Sequence, residues 1–103
     1  MKPYKRSVRV GHEIMRIVAE TIRTEARDPR IRNVTILRVE VTDDLRIAKI
    51  FYSSIDGEEA EKGLESARGF LRGRIAKNLR IKFIPEITFV RVEEENGWFS
   101  QYQ

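Results

Sequence analysis

Residues 34–53 read VTILRVEVTDDLRIAKIFYS, and their pattern decides the class of fold. From Val34 to Val41 the chain alternates, with Thr35, Leu37, Val39 and Val41 on one side and Arg38 and Glu40 on the other. A period of two sends successive side chains to opposite faces of a strand. Thr42-Asp43-Asp44-Leu45 has turn chemistry, because short oxygen-bearing side chains bond their own backbone there. Arg46 to Ser53 resumes the alternation. Two β-rich runs joined by a short Asp-rich turn predict an antiparallel hairpin.

Upstream, between Val8 and Arg27, the positions Val10, Ile14, Ile17, Val18, Thr21 and Ile22 keep helical spacing and turn one face to a core. The other face carries Arg9, His12, Arg16 and Arg23 interleaved with Glu13 and Glu20, the pattern of a solvent face laced with ion pairs. Asp28-Pro29 stops this helix, since the ring disfavours a helical conformation at the residue before it.

Downstream, Asp56-Gly57-Glu58-Glu59 opens a second helical region, with acidic residues at the positive end of the helix dipole. Ala60, Leu64, Ala67, Leu71, Ile75 and Leu79 then form one apolar stripe. Gly69 interrupts the propensity but not the phase, which predicts two helices, or one bent helix, sharing a core face. After Phe83-Ile84-Pro85, the run EITFVRV from Glu86 to Val92 is a last strand. The expectation is an α+β domain with a three-stranded sheet and its helices packed on one face.

Composition bounds this reading. A chain of 103 residues has room for one domain, taken as residues 1–95, with 96–103 a short mobile tail. The absence of cysteine excludes disulfides and Cys-ligated metal and suits a reducing compartment. No apolar run approaches a membrane span, and no secretory h-region follows Met1-Lys2-Pro3-Tyr4-Lys5-Arg6, so a cytoplasmic location is expected. The balance of 20 Lys+Arg against 16 Asp+Glu gives only +4. The position of the charge therefore matters more than its sum.

Position is informative between Ala67 and Lys82, ARGFLRGRIAKNLRIK. This segment holds Arg68, Arg72, Arg74, Lys77, Arg80 and Lys82 and no acidic residue. On a helical wheel Gly69, Gly73 and Ala76 fall opposite the apolar stripe, with Arg72, Lys77 and Arg80 around them. Small outward residues let a phosphodiester backbone approach, and the flanking cations neutralise it. A solvated helix whose basic end complements its dipole accounts for Arg80 and Lys82. It does not account for two exposed glycines, each costing about 1 kcal/mol relative to alanine. Lys2, Lys5, Arg6 and Arg9 make a second basic cluster. The candidate RNA-binding set is Arg6, Arg9, Arg68, Gly69, Arg72, Gly73, Arg74, Lys77 and Arg80.

Catalytic constellations are missing from the sequence. His12 is the only histidine, Asp43 and Asp44 are adjacent in a turn and point apart, and Ser53-Ser54 lacks a nearby base. No Walker loop or dinucleotide fingerprint occurs, and neither a cofactor nor a metal is expected. Trp98, Phe99 and Tyr102 follow the acidic Glu93-Glu94-Glu95 and are left outside the site. Besides RNA binding, two other classes stay open: a module docking an acidic partner protein, and a nuclease, which would need convergent carboxylates or a histidine pair.

Several short marks in order resemble the ribosome-binding factor A family of bacterial small-subunit maturation factors. They are Arg6-x-x-Arg9-Val10, Asp28-Pro29-Arg30, Val34-Thr35-Ile36 with Val39-x-Val41, Asp44-Leu45-x-x-Ala48-Lys49, Ala67-x-Gly69-Phe70-Leu71-Arg72 and Pro85-Glu86-Ile87-x-Phe89. The resemblance runs from about Arg6 to Val92. It implies a KH-like domain of type II topology, with the Gly-x-x-Gly loop replaced by an Ala-x-Gly helix kink, here Ala67-Arg68-Gly69. It also implies binding to the small (30S) ribosomal subunit and its 16S rRNA, support of 16S 5′-end processing and growth in the cold, and release with a maturation GTPase. The chain would act as a monomer. Many members carry a longer tail, whereas this chain stops at Gln103.

Overall fold

In the computed structural model, which describes residues 5–93, the hairpin forms with one departure from simple alternation. Strands β1 (Thr35–Val41) and β2 (Ile47–Ser53) pair antiparallel, with Ile36 opposite Tyr52 but Arg38 opposite Phe51. Leu37 is thus the extra residue of a β-bulge. The bulge shifts the phase, so Ile36 enters the core and Thr35 is exposed, the reverse of the alternation expected from sequence. Burying an isoleucine stabilises by roughly 1.5–3 kcal/mol, and the bulge gains that while leaving Val39 and Val41 packed on the core and Arg38 and Glu40 outside. The turn is closed by Leu45 N–H donating to the Thr42 carbonyl, with Leu45 in the left-handed region at φ 62°.

Helix α1 (Arg6–Glu25) and helix α2 (Glu58–Asn78) flank the hairpin in sequence, and β3 (Glu86–Arg91) follows. β3 lies parallel to β2, giving the sheet order β1-β2-β3. A parallel neighbour cannot be reached by a tight turn, so α2 serves as the crossover. Ile14, Val18, Leu64, Leu71 and Ile75 from the helices meet Ala48, Ile50, Tyr52 and Ile87 on the inner face of the sheet. The result is the KH-like α+β arrangement expected from the sequence, with helices on one face.

Two local details place the helices. α1 ends at Glu25, ahead of Asp28-Pro29, and Asp28 instead caps a single 3₁₀ turn (Pro29–Ile31) by accepting from the Arg30 N–H at 2.9 Å. α2 runs as one helix through Ala67-Arg68-Gly69, so the two-helix alternative does not form. Its apolar stripe stays in phase across Gly69, and continuous core contact outweighs the glycine's weak propensity. Its first turn carries Glu58, Glu59 and Glu61, behind Gly57 at φ 53°.

Candidate RNA-binding surface

The outward face of α2 carries the small residues predicted from the helical wheel. Gly69, Gly73 and Ala76 are all exposed, and a Cβ built on either glycine meets no atom within 4 Å. Their lack of a side chain answers no packing need within the described residues. Arg72 and Lys77 border this strip on opposite sides, since at 100° per residue each lies about 70° from the strip's midline in opposite senses.

The structure divides the predicted cations into two groups. Arg68 is held internally: it pairs with Glu65 at 2.7 Å, donates to the Ile87 carbonyl and lies 5.2 Å from the Phe89 ring centroid. It fastens α2 to β3. Arg74 is likewise engaged, crossing to Glu25 at the end of α1 and lying over Phe70. Their charges are largely answered within the fold, a fact the acid-free local sequence hides because Glu25 is far away along the chain.

The remaining cations stay available. Arg72 gives one nitrogen to the Ile84 carbonyl at 3.1 Å and is otherwise exposed. Lys77, Arg80, Arg9 and Arg6 are exposed and carry no ion pair among the described residues. Arg6, Arg9 and Arg80 come together around a cleft of about 360 Å³ where the start of α1 meets the end of α2. On the α1 face Arg23 pairs with Glu20 as the spacing suggests, whereas Arg9 and Arg16 carry no ion pair among the described residues. Sequence reading missed Arg46, which the hairpin turn brings beside Arg6 and Lys82 in an adjoining cleft.

No group of histidine, aspartate and glutamate residues that could hold a metal occurs among the described residues, and no helix there is long and apolar enough to cross a membrane. Lys2 and the tail aromatics Trp98, Phe99 and Tyr102, with the predicted mobile segment, lie outside the described residues.

The sequence model of ribosome-binding factor A matches residues 6–96. This chain belongs to that family. Relatives named ribosome-binding factor A include one from Nitrosomonas eutropha, 42% identical over 86% of this chain and 80% of its own length. Another, from Streptococcus pneumoniae, is 39% identical over 90% of this chain and 84% of its own. Among solved structures, a Thermotoga maritima protein described as a ribosome binding factor A matches with TM-score 0.73 at 37% identity, covering 86% of this chain and 89% of that one. The crystal structure of ribosome-binding factor A from Thermus thermophilus gives TM-score 0.76 over 82% of this chain and 93% of that one, at 22% identity, and so shows the fold. A further Thermus thermophilus model of the factor, fitted into the cryo-EM map of a 30S complex, gives 0.71 over 86% of this chain and 97% of that one, at 21% identity.

Proposed function

We propose that this chain is a non-enzymatic maturation factor that binds the small ribosomal subunit through 16S rRNA. The observation that carries the proposal is the open strip of Gly69, Gly73 and Ala76 on α2, bordered by Arg72 and Lys77 and continued by Arg80, Arg9 and Arg6. A phosphodiester backbone lying along this strip meets unpaired cations on both sides and nothing larger than the Ala76 methyl beneath it. Arg68 and Arg74 contribute field there, but their primary work is to hold α2 in place. Ala67-Arg68-Gly69 marks where the family's helix kink would lie. A Thermus thermophilus homologue's placement in a 30S complex supports the same partner for this chain.

In this reading the protein, as a monomer in the cytoplasm, holds an immature rRNA conformation during late assembly. It thereby assists 16S 5′-end processing and cold adaptation until a maturation GTPase displaces it. The single domain would comprise residues 1–95. The test is the affinity for purified immature small subunits across a salt series. Log K should fall linearly with log salt, and an Arg72→Glu/Lys77→Glu double variant should lose at least about 100-fold at low salt. A double variant that folds and binds as tightly as the parent protein defeats the proposal.

A further inference from the structure

Next to the α2 surface lies a cleft of about 590 Å³, lined by Arg6, Asp44, Leu45, Arg46, Ile81, Lys82, Phe83, Ile84 and Glu86. Its size falls in the roughly 300–1,000 Å³ range of small-ligand sites. Leu45, Ile81 and Ile84 pack on the core beneath it, giving an apolar floor, while Arg6, Arg46 and Lys82 stand on its rim. Phe83 is 75% exposed there, with the Lys82 ammonium 5.6 Å from its ring centroid.

The exposure of Phe83 is enforced by its neighbours. Arg72 holds the Ile84 carbonyl at 3.1 Å, Pro85 is fully buried, and the Glu86 N–H donates to the Arg46 carbonyl at 2.8 Å. Anchored on this C-terminal side, the loop presents the ring to solvent instead of letting it fold inward.

The two carboxylates in the cleft narrow the occupant. Asp44 accepts from the Thr42 hydroxyl at 2.7 Å and the Arg46 N–H at 3.1 Å and lies 3.9 Å from the exposed Arg46 guanidinium, so its charge shapes the turn and steadies Arg46 at the cleft. Glu86 is exposed and offers only acceptors, which repel a phosphate but suit the amino edge of a base. Exposed cations, an aromatic face, an apolar floor and an acceptor lining one cleft fit a single nucleotide, its phosphate met by the cations and its base by the ring and the acceptor.

We infer that this cleft takes one unpaired nucleotide of an RNA strand, its base stacked on Phe83 and its phosphates held by Lys82, Arg46 and Arg6. The inference rests on the RNA-binding reading and adds a single-strand site to the α2 strip. Arg6 lines both this cleft and the Arg9–Arg80 cleft, so a strand leaving the α2 surface can pass from one to the other.

The test uses the full chain and two fluorescently labelled RNAs, a short unstructured strand and a blunt duplex, compared by anisotropy. Phe83→Ala and Phe83→Leu should weaken single-strand binding about 10-fold, the loss of one base stack, while Phe83→Tyr keeps it within about twofold. Duplex affinity should hold in all three variants, and so should thermal stability. Single-strand binding by Phe83→Ala at the wild-type level overturns the inference, as expected if the ring docks a protein instead. Equal binding by the Leu and Tyr variants, or a parallel loss on the duplex, also overturns it. Those results leave the RNA-binding reading standing as long as the parent protein binds duplex, whereas a parent that binds neither RNA removes both.

Discussion

The carbonyl oxygen of Val39 lies 2.8 Å from the point a Cβ on Gly11 would occupy. α1 therefore rests directly on the backbone of β1, and Gly11 is there for space. Alanine at this position gains about 0.5–1 kcal/mol of helix propensity. It must also push the helix off a strand carbonyl that has no rotamer to escape into, and overpacking of this kind costs about 1–3 kcal/mol. Gly11→Ala should destabilise the protein by about 1–2 kcal/mol net, read as a lower urea midpoint with an unchanged slope. A neutral or stabilising result would mean that α1 can shift at no cost.

Gly69 and Gly73 should behave in the opposite way. Both sit in a helix with nothing within 4 Å of a built Cβ, so alanine brings propensity without strain. Gly69→Ala and Gly73→Ala are each expected to stabilise by about 0.5–1 kcal/mol, visible as a raised thermal midpoint. If the strip admits an RNA backbone, the double variant binds small subunits more weakly even though it is more stable. A double variant that gains stability and keeps full affinity would assign the glycines no role in binding.

How far the sequence could be read follows from which contacts are local. The hairpin, the two helices and the last strand were legible because period and turn chemistry are properties of neighbouring residues. The Leu37 bulge was not, since strict alternation puts Ile36 outside and only the competition for core volume brings it in. The outward Gly69–Gly73 strip was legible from the wheel. The engagement of Arg68 by Ile87 and of Arg74 by Glu25 was not, because those partners come from other elements. Gly11 and Gly63 carried no signal of the close approaches they allow, to β1 and to the 3₁₀ turn. Phe83 did leave a trace, as an aromatic between Lys82 and Ile84-Pro85 outside any periodic stripe.

Arg68 and Lys77 separate structural charge from binding charge. Removing Arg68 deletes the pair with Glu65 within α2 and, between α2 and β3, the bond to the Ile87 carbonyl and the contact with Phe89. Arg68→Ala should lower stability by about 1–2 kcal/mol, given that a charged hydrogen bond is worth about 1.5–3 kcal/mol before allowing for its partial exposure. Lys77→Ala should change stability by less than about 0.5 kcal/mol. It should instead weaken RNA binding at every sequence and reduce the slope of log K against log salt by about 1. If Arg68→Ala left stability intact and removed one unit of salt slope, its assignment as a fastener would be wrong.

Acid should expose the role of Asp28. Hydrogen bonds from the Arg30 side chain and then the Arg30 backbone N–H hold its carboxyl below the ordinary value of 3.8. The folded state therefore binds this proton less readily than the unfolded chain. The resulting stabilisation is fully present above 3.8 and disappears as the pH falls through the lower folded value. Asp28→Asn keeps an oxygen to cap the 3₁₀ turn and removes only the charge and its bond to the Arg30 guanidinium, at 2.7 Å. The thermal midpoints of the two proteins should differ by a constant amount near neutrality and converge below about pH 4. Because both groups touch solvent, added salt should narrow the neutral-pH gap. A gap that persists unchanged into strong acid would show that the asparagine harms the turn by shape, with no contribution from the carboxylate's charge.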